Sequence, residues 1–419
     1  MAVRDIVIVG SSLAAVRAAE TLRQSGHDGT ITIIGAEPGM PYDRPPLSKK
    51  YLSGEVDAER IALRKPEMID ALGVTWRLGS PATALDTAAR AVTLADGSRV
   101  AYDGLVIATG GDARVLPAVP MTGGVHTLRT KNDADALRSE IAPGTRFVVI
   151  GAGFIGLEAA ATAKQLGAEV TVLEGAPAPL IRGLGAEMGS AIARIHERNG
   201  VDVRCGATIN GIDQHDGHVT AVRLGDGSVL PADVVLVGIG VTPAVAWLQG
   251  SGLELDDGVV CDKFLNAGVP GVYAAGDVLR WPNELFAHVE PTMRVEHWTN
   301  AAEQGAIAAQ NLLAESRGGE RTPYSAVPFF WSDQFDARIQ FIGRSHPDAD
   351  VTVVAGSPAE GRFAAMYTLH DRVIAVLGVT MPKMVMPSRV LLLNPTTKEQ
   401  GLAHFERLKN PPAPPAQNA

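Results

Sequence analysis

Cysteine is nearly absent from this chain. Its 419 residues contain two, Cys205 and Cys261, far apart and in no Cys-x-x-Cys pair. That leaves no disulfide framework and no cysteine zinc site, and it fits a reducing compartment. An excess of basic charge is also missing. The net charge of −9 disfavours nucleic acid or an anionic membrane as the main partner. No apolar run is long enough to span a bilayer. The first strand, Asp5-Ile-Val-Ile-Val-Gly10, is too short for a signal h-region, so the expected location is the cytoplasm. There is no glycine-rich low-complexity tract either; the 45 glycines fall in turns after apolar runs. The length suggests two or three domains.

What is present begins most clearly at Phe147-Val-Val-Ile-Gly-Ala-Gly-Phe-Ile-Gly-Leu-Glu158. A buried strand leads into Gly151, Gly153 and Gly156 at the Gly-x-Gly-x-x-Gly spacing of a dinucleotide-binding turn. Gly151 makes the tight turn, Gly153 lets a pyrophosphate approach the backbone, and Gly156 lets helix and strand pack closely. The following helix starts with unpaired N–H groups and a partial positive charge facing the phosphates. A second apolar strand then ends on Glu174, about twenty residues after the last glycine, where a carboxylate meets ribose hydroxyls.

The same order occurs earlier with other lettering. Ile6-Val-Ile-Val-Gly10-Ser-Ser12-Leu13-Ala14-Ala15 has Ser12 in place of the second glycine and Ala15 in place of the third. A helical run, Ala14 to Ser25, leads to the strand Thr30 to Ile34 and on to Glu37. Each fingerprint is followed by an Asp-Gly-Ser hairpin (Asp96 to Ser98, Asp226 to Ser228). Each hairpin precedes an apolar strand ending in glycine: Leu105 to Thr109-Gly110, and Val234 to Gly238-Ile239-Gly240. This internal repeat predicts two related dinucleotide-binding domains. One nicotinamide and one flavin is the useful pair, because hydride can pass between them.

Glu174 is followed by Gly175-Ala176, with no adjacent arginine to neutralise a 2′-phosphate. NAD is therefore expected over NADP, with Arg182 further on as a softening influence. The first copy carries the extra segment Pro41 to Lys50, which delivers Arg44 and Lys49 and suits a ring system beyond the phosphates. It is the flavin candidate. Gly276-Asp277 offers a carboxylate to ribitol hydroxyls, and Trp298, read alone, is more readily a core residue than a flavin contact. After Pro323, short strand-like runs (327–331, 338–342, 351–354, 363–367 and 373–377) indicate an antiparallel third domain finished by one helix. The expected fold is α/β, with two Rossmann-like domains and a C-terminal α+β domain. The expected bounds are 1–110 with 241–318 for flavin, 111–240 for NAD, 319–408 for the third domain, and 409–419 as a disordered tail.

Arg44-Pro-Pro-Leu-Ser-Lys49, Ala108-Thr-Gly110, the Gly151 fingerprint, Ala275-Gly-Asp277 and Phe330-Trp-Ser-Asp-Gln334 give the chain a family resemblance. It resembles the FAD-dependent NADH:ferredoxin reductases of bacterial cytochrome P450 and aromatic dioxygenase systems, of putidaredoxin reductase type and glutathione reductase-like fold. The resemblance covers the chain to about residue 408. It implies that Ala14, Glu37, Lys49, Ala82, Arg129, Asp277 and Trp298 contact FAD. Lys49 would lie near the flavin N5, and Trp331 would approach the isoalloxazine from the third domain. Ile155, Glu158, Glu174, Arg182 and Gly238 or Ile239 would receive NADH, with Glu158 helping to place the nicotinamide. Ser12 and Ala15 depart from the family's flavin fingerprint.

Disulfide reductases of this fold need a cysteine pair beside the flavin, and peroxidases need one cysteine. Glu37 to Tyr51, where they would fall, has none. Cys205 and Cys261 are expected to be buried small hydrophobes. Electrons must then reach an outside acceptor, which the resemblance implies is a [2Fe–2S] ferredoxin that feeds a cytochrome P450 or dioxygenase. A basic patch drawn from Lys49, Lys50, Arg60, Arg64, Arg294 and Arg338 is expected to dock it. A rubredoxin reductase and a redox scaffold like apoptosis-inducing factor are the alternatives. The chain is expected to be a monomer or weak homodimer.

Overall fold

The computed structural model describes residues 3–410. Its described residues divide into two compact units, one of residues 3–116, 126–140 and 238–326, the other of residues 117–125, 141–237 and 327–410. Residues 126–140 belong with the first unit because Arg129 is tied to Asp277 and Tyr51 to Asp135 there. The antiparallel third domain belongs to the second unit.

In the first unit a five-stranded sheet runs in the order Val272–Ala274, Gly104–Ile107, Asp5–Val9, Thr30–Ile34, Thr75–Arg77. Every pair is parallel. Its strands read as nearly unbroken apolar runs because helices cover parallel sheets on both faces. The second unit repeats the order around Arg146–Ile150, with Glu169–Glu174 then Asp202–Cys205 on one side and Val234–Val237 on the other. Each sheet carries a three-stranded antiparallel appendage, Ala82–Asp86 to Arg99–Ala101 in one and Ile209–His215 to Val229–Pro231 in the other. The repeat seen in the sequence is therefore a repeat of topology.

Each fingerprint turn has its first glycine at positive φ, +114° at Gly10 and +103° at Gly151. The second position is extended in both copies, φ −107° at Ser12 and −78° at Gly153. Any residue can take that conformation, so Ser12 meets no backbone strain; glycine there only clears space for a ligand. At the third position a Cβ on Gly156 would lie 2.3 Å from the Gly151 carbonyl oxygen. The first copy places Ala15 there, fully buried. Its close approach has moved to Gly305 on helix Trp298–Ser316, whose Cβ would lie 2.3 Å from the Ala14 carbonyl oxygen.

The third domain is a five-stranded antiparallel sheet ordered Phe329–Gln334, Ala337–Gly343, Arg372–Val379, Arg362–Leu369, Asp350–Ser357. It ends not on one helix but on three short turns of helix between Pro382 and Leu393 and a final helix, Lys398–Lys409. Pro382 opens the first of these turns and Pro387 breaks the run. A reciprocal cap of Thr397 and Gln400 starts the last helix. That helix reaches Lys409, one residue into the expected tail; residues 411–419 lie outside the described residues. Cys261 is buried as expected, but Cys205 is exposed, because it ends an edge strand.

Candidate cofactor sites

In the first unit a polar chain runs away from the end of the second strand. Glu37 accepts from the Arg44 guanidinium at 2.6 Å and from the Tyr42 hydroxyl at 2.5 Å. Arg44 also donates to the Arg129 carbonyl oxygen. Arg129 in turn donates to the Asp277 carboxylate at 2.9 Å and to the Gly111 carbonyl oxygen at 2.8 Å. Thr109 beside Gly110 fixes its loop through the Ala244 carbonyl oxygen, 2.9 Å away. Glu37, Arg44, Arg129 and Asp277, expected together from motifs far apart in the chain, form one bonded line. The proline-held segment makes a short 3-10 turn, Pro45–Ser48, and Lys49 Nζ donates back to the Pro45 carbonyl oxygen at 3.0 Å.

Trp298 is not in the core. It opens its helix 38% exposed and donates Nε1–H to Asp43 Oδ1 at 2.6 Å. Burial pushes the Asp43 carboxyl above its ordinary value, opposed by the Trp298 bond and the Lys49 charge. Asp43 and Tyr42 escaped the sequence reading although they adjoin Arg44, since a carboxylate and a phenol in a proline-rich loop have no spacing signal. Ala82 begins the appendage strand Ala82–Asp86.

In the second unit the Glu174 carboxylate accepts the Ala152 N–H at 2.7 Å and the Ala176 N–H at 2.8 Å, tying the strand end to the glycine turn. Ile155, just inside helix Phe154–Gln165, is exposed although apolar. Arg182 lies in the first turn of helix Ile181–Arg198. Gly238 and Ile239 follow directly on strand Val234–Val237. Glu158 is buried and accepts a hydrogen bond from Ser332 Oγ at 2.5 Å. Trp331 sits on the other face of that strand, its ring stacked 6.0 Å from Phe329.

These residues fit the two cofactors. Ser12 and Gly153 cap their helices with no side-chain hydrogen bond, leaving the first helical N–H groups for a phosphate. Gly10 and Gly151 bring each turn against its own sheet, each N–H donating to a strand-end carbonyl at 2.7 Å. Acids then stand at both strand ends.

His196, in helix Ile181–Arg198, is fully buried with its Nε2 2.8 Å from Gln334 Oε1. Burial holds its pKa below the usual 6.5, while the Gln334 bond pulls the other way. A base whose folded pKa is lowered stabilises fully above its unfolded value and loses that contribution as pH falls. Below pH 6.5 the wild type is expected to lose up to about 1.4 kcal/mol per pH unit more than His196→Gln. Urea unfolding of both proteins across that range measures the difference.

Two fingerprint turns, each at the carboxyl end of a parallel sheet and each answered by an acid, define an oxidoreductase that works between two dinucleotides. A family model described as pyridine nucleotide-disulphide oxidoreductase matches residues 4–305, and one described as reductase C-terminal matches residues 329–403. The chain belongs to the pyridine nucleotide-disulphide oxidoreductase family and is an FAD-dependent, NAD(P)H-linked oxidoreductase. It is 39% identical to rhodocoxin reductase of Rhodococcus erythropolis, over 94% of this chain and 91% of the relative. It is 38% identical to the ferredoxin–NAD(+) reductase component of the anthranilate 1,2-dioxygenase system of Burkholderia cepacia, over 94% and 95%. Among solved structures it resembles the covalent putidaredoxin reductase–putidaredoxin complex, with a TM-score of 0.90, 34% identity and coverage of 97% and 98%. No helix among the described residues is long and apolar enough to cross a membrane.

Proposed function

We propose that this chain is an NADH:ferredoxin reductase, working in the cytoplasm and passing electrons singly to a [2Fe–2S] ferredoxin that serves a cytochrome P450 or aromatic-ring oxygenase. The observation that carries this is the pairing of two dinucleotide sites with a cysteine-free Glu37-to-Tyr51 segment. Relatives named as ferredoxin reductases support it. FAD, when bound, supplies the conversion of a two-electron hydride from NADH into single electrons. The chain's own residues position and polarise. Gly10, Ser12, Leu13, Ala14, Glu37, Arg44, Ala82, Thr109, Gly110, Arg129, Asp277 and Trp298 would hold FAD, with the Lys49 ammonium offered to the ring's developing negative charge. Gly151, Gly153, Ile155, Gly156, Glu174, Arg182, Gly238 and Ile239 would hold NADH, and Glu158 would place its nicotinamide. Trp331 would be the third domain's residue for the ring system.

The structure narrows the expected docking patch. Arg64 is paired with Glu20, Arg294 with Asp257 and Glu296, and Arg338 with Asp333, so each of these cations is offset locally. Lys50 and Arg60 remain exposed. Lys50→Glu and Arg60→Glu are expected to lower the ferredoxin rate and its salt dependence while leaving ferricyanide reduction unchanged. Equal loss with both acceptors would remove these residues from the interface.

The reading is tested by steady-state NADH oxidation against a panel of [2Fe–2S] ferredoxins and a rubredoxin, with NADPH as control. Ferredoxin is expected to raise turnover with NADH. Faster turnover with rubredoxin, or slow oxidation indifferent to every carrier, would contradict the proposal.

A further inference from the structure

The strand Phe329–Gln334 shows its alternate residues to two different neighbourhoods. Phe330, Ser332 and Gln334 share one face, and Phe329, Trp331 and Asp333 the other. The first face lies along helix Phe154–Gln165. Phe330 meets the Phe154 ring edge-on at 4.6 Å, and Ser332 meets Glu158. Four residues along a helix rise about 6 Å and two along a strand about 6.7 Å, so the contacts stay in step. One strand pair further on, Gln334 meets His196 on the next helix.

The polar members of this face form a single buried file. Gln334 Oε1 lies 2.8 Å from His196 Nε2, its Nε2 donates to Ser332 Oγ at 3.0 Å, and Ser332 Oγ donates to Glu158 Oε1 at 2.5 Å. Relative exposures are 0% for His196, 1% for Gln334, 1% for Ser332 and 4% for Glu158, so water does not compete. The donors all point one way. Having accepted the glutamine amide proton, the serine hydroxyl has one proton to give, and Glu158 receives it. Gln334 can offer its amide to Ser332 only because its carbonyl takes the His196 Nε2 proton. That leaves His196 Nδ1 as an unprotonated nitrogen, and it is buried with no hydrogen-bond partner. Three uncharged polar side chains are thus desolvated in sequence where apolar ones would pack at less cost.

We propose that Ser332, Gln334 and His196 are positioning residues that hold the Glu158 carboxyl in one rotamer, with Oε1 as the acceptor of the serine proton. The proposal rests on the reading of Glu158 as the residue that places the nicotinamide. It gives Phe330-Trp-Ser-Asp-Gln334 two jobs on two faces: Trp331 for the ring system, Ser332 and Gln334 for the glutamate. It also makes the third domain part of the geometry that places the hydride donor, through side chains that reach it only by way of Glu158.

The test is a double-mutant cycle on FAD-loaded full-length protein: wild type, Ser332→Ala, Glu158→Ala and the double variant, with Ser332→Thr as the conservative control. Two quantities are read, the anaerobic rate of flavin reduction by NADH and the affinity for NAD⁺ by calorimetry. Ser332→Ala is expected to slow reduction by about 10- to 100-fold, the worth of a hydrogen bond to a charged group. It is expected to weaken NAD⁺ binding as well, and Ser332→Thr to recover most of both. In the Glu158→Ala background, where no acceptor is left for the serine proton, removing the serine hydroxyl should change neither by more than about 2-fold. A purely structural serine would cost the same factor in both backgrounds, and that result, or no effect in either, overturns the proposal. Wild-type behaviour of Glu158→Ala alone would instead overturn the assignment of Glu158 on which it rests.

Discussion

Glu174→Ser combined with Gly175→Arg is expected to turn the coenzyme preference from NADH towards NADPH, shifting the ratio of their kcat/KM values by roughly 30- to 1000-fold. That range corresponds to about 2–4 kcal/mol, one charge-assisted hydrogen bond lost to a ribose diol and one gained to a 2′-phosphate. The site has room: a Cβ on Gly175 would meet only the Ala207 carbonyl oxygen, at 3.8 Å. The structure also predicts a side effect. The Glu174 carboxylate accepts the Ala152 and Ala176 N–H groups, and a serine cannot replace both bonds. Efficiency should therefore fall with both coenzymes while the ratio shifts. An unchanged ratio would show that the ribose lies elsewhere.

The second large effect separates the two sites. In Gly156→Val the new Cβ would lie 2.3 Å from the Gly151 carbonyl oxygen, so the helix start must move off the turn. A misplacement near 1 Å costs about 100-fold in rate. Flavin reduction by NADH should fall by at least that much, while FAD stays bound, because the change lies wholly in the second unit. In Gly10→Ala the outcome reverses. Gly10 has a φ of +114°, and its Cβ would lie 2.0 Å from the Ala108 carbonyl oxygen. The expected product is a folded second unit that binds NAD⁺, with FAD lost on purification. Absorbance of the purified proteins and NAD⁺ calorimetry distinguish the two. If both variants lost FAD, or both kept it and reacted normally, the division of labour between the fingerprints would be wrong.

How much of this was legible in the chain depended on the range of the interaction. Gly10, Gly151 and Gly156 announce themselves because the turn's geometry is local and leaves few residue choices. Ser12 departs from the family's flavin fingerprint, yet the second position is extended in both copies. The close packing absent at Ala15 is supplied by Gly305, a distance no fingerprint spans. Trp298 read alone as core because burial statistics ignore a partner 255 residues away, Asp43. Cys205 read as buried because strand composition does not tell an edge from a centre. The range of contact matters for residues 126–140 as well. Residues 126–140 follow the first fingerprint domain in sequence, but the Arg129–Asp277 contact returns them to it. Ser332 and Gln334 were visible as letters of a motif, while their partners Glu158 and His196 lie 174 and 138 residues away.

The central claim is that one chain brings an NADH site and an FAD site into a single relay. Anaerobic titration of the purified protein with NADH tests it most directly. The account predicts that the protein purifies yellow with one FAD per chain and that one equivalent of NADH bleaches its visible flavin band, whereas NADPH at the same concentration does so far more slowly. A chain that purifies without FAD, or a bound flavin that stays oxidised in excess NADH, would contradict it.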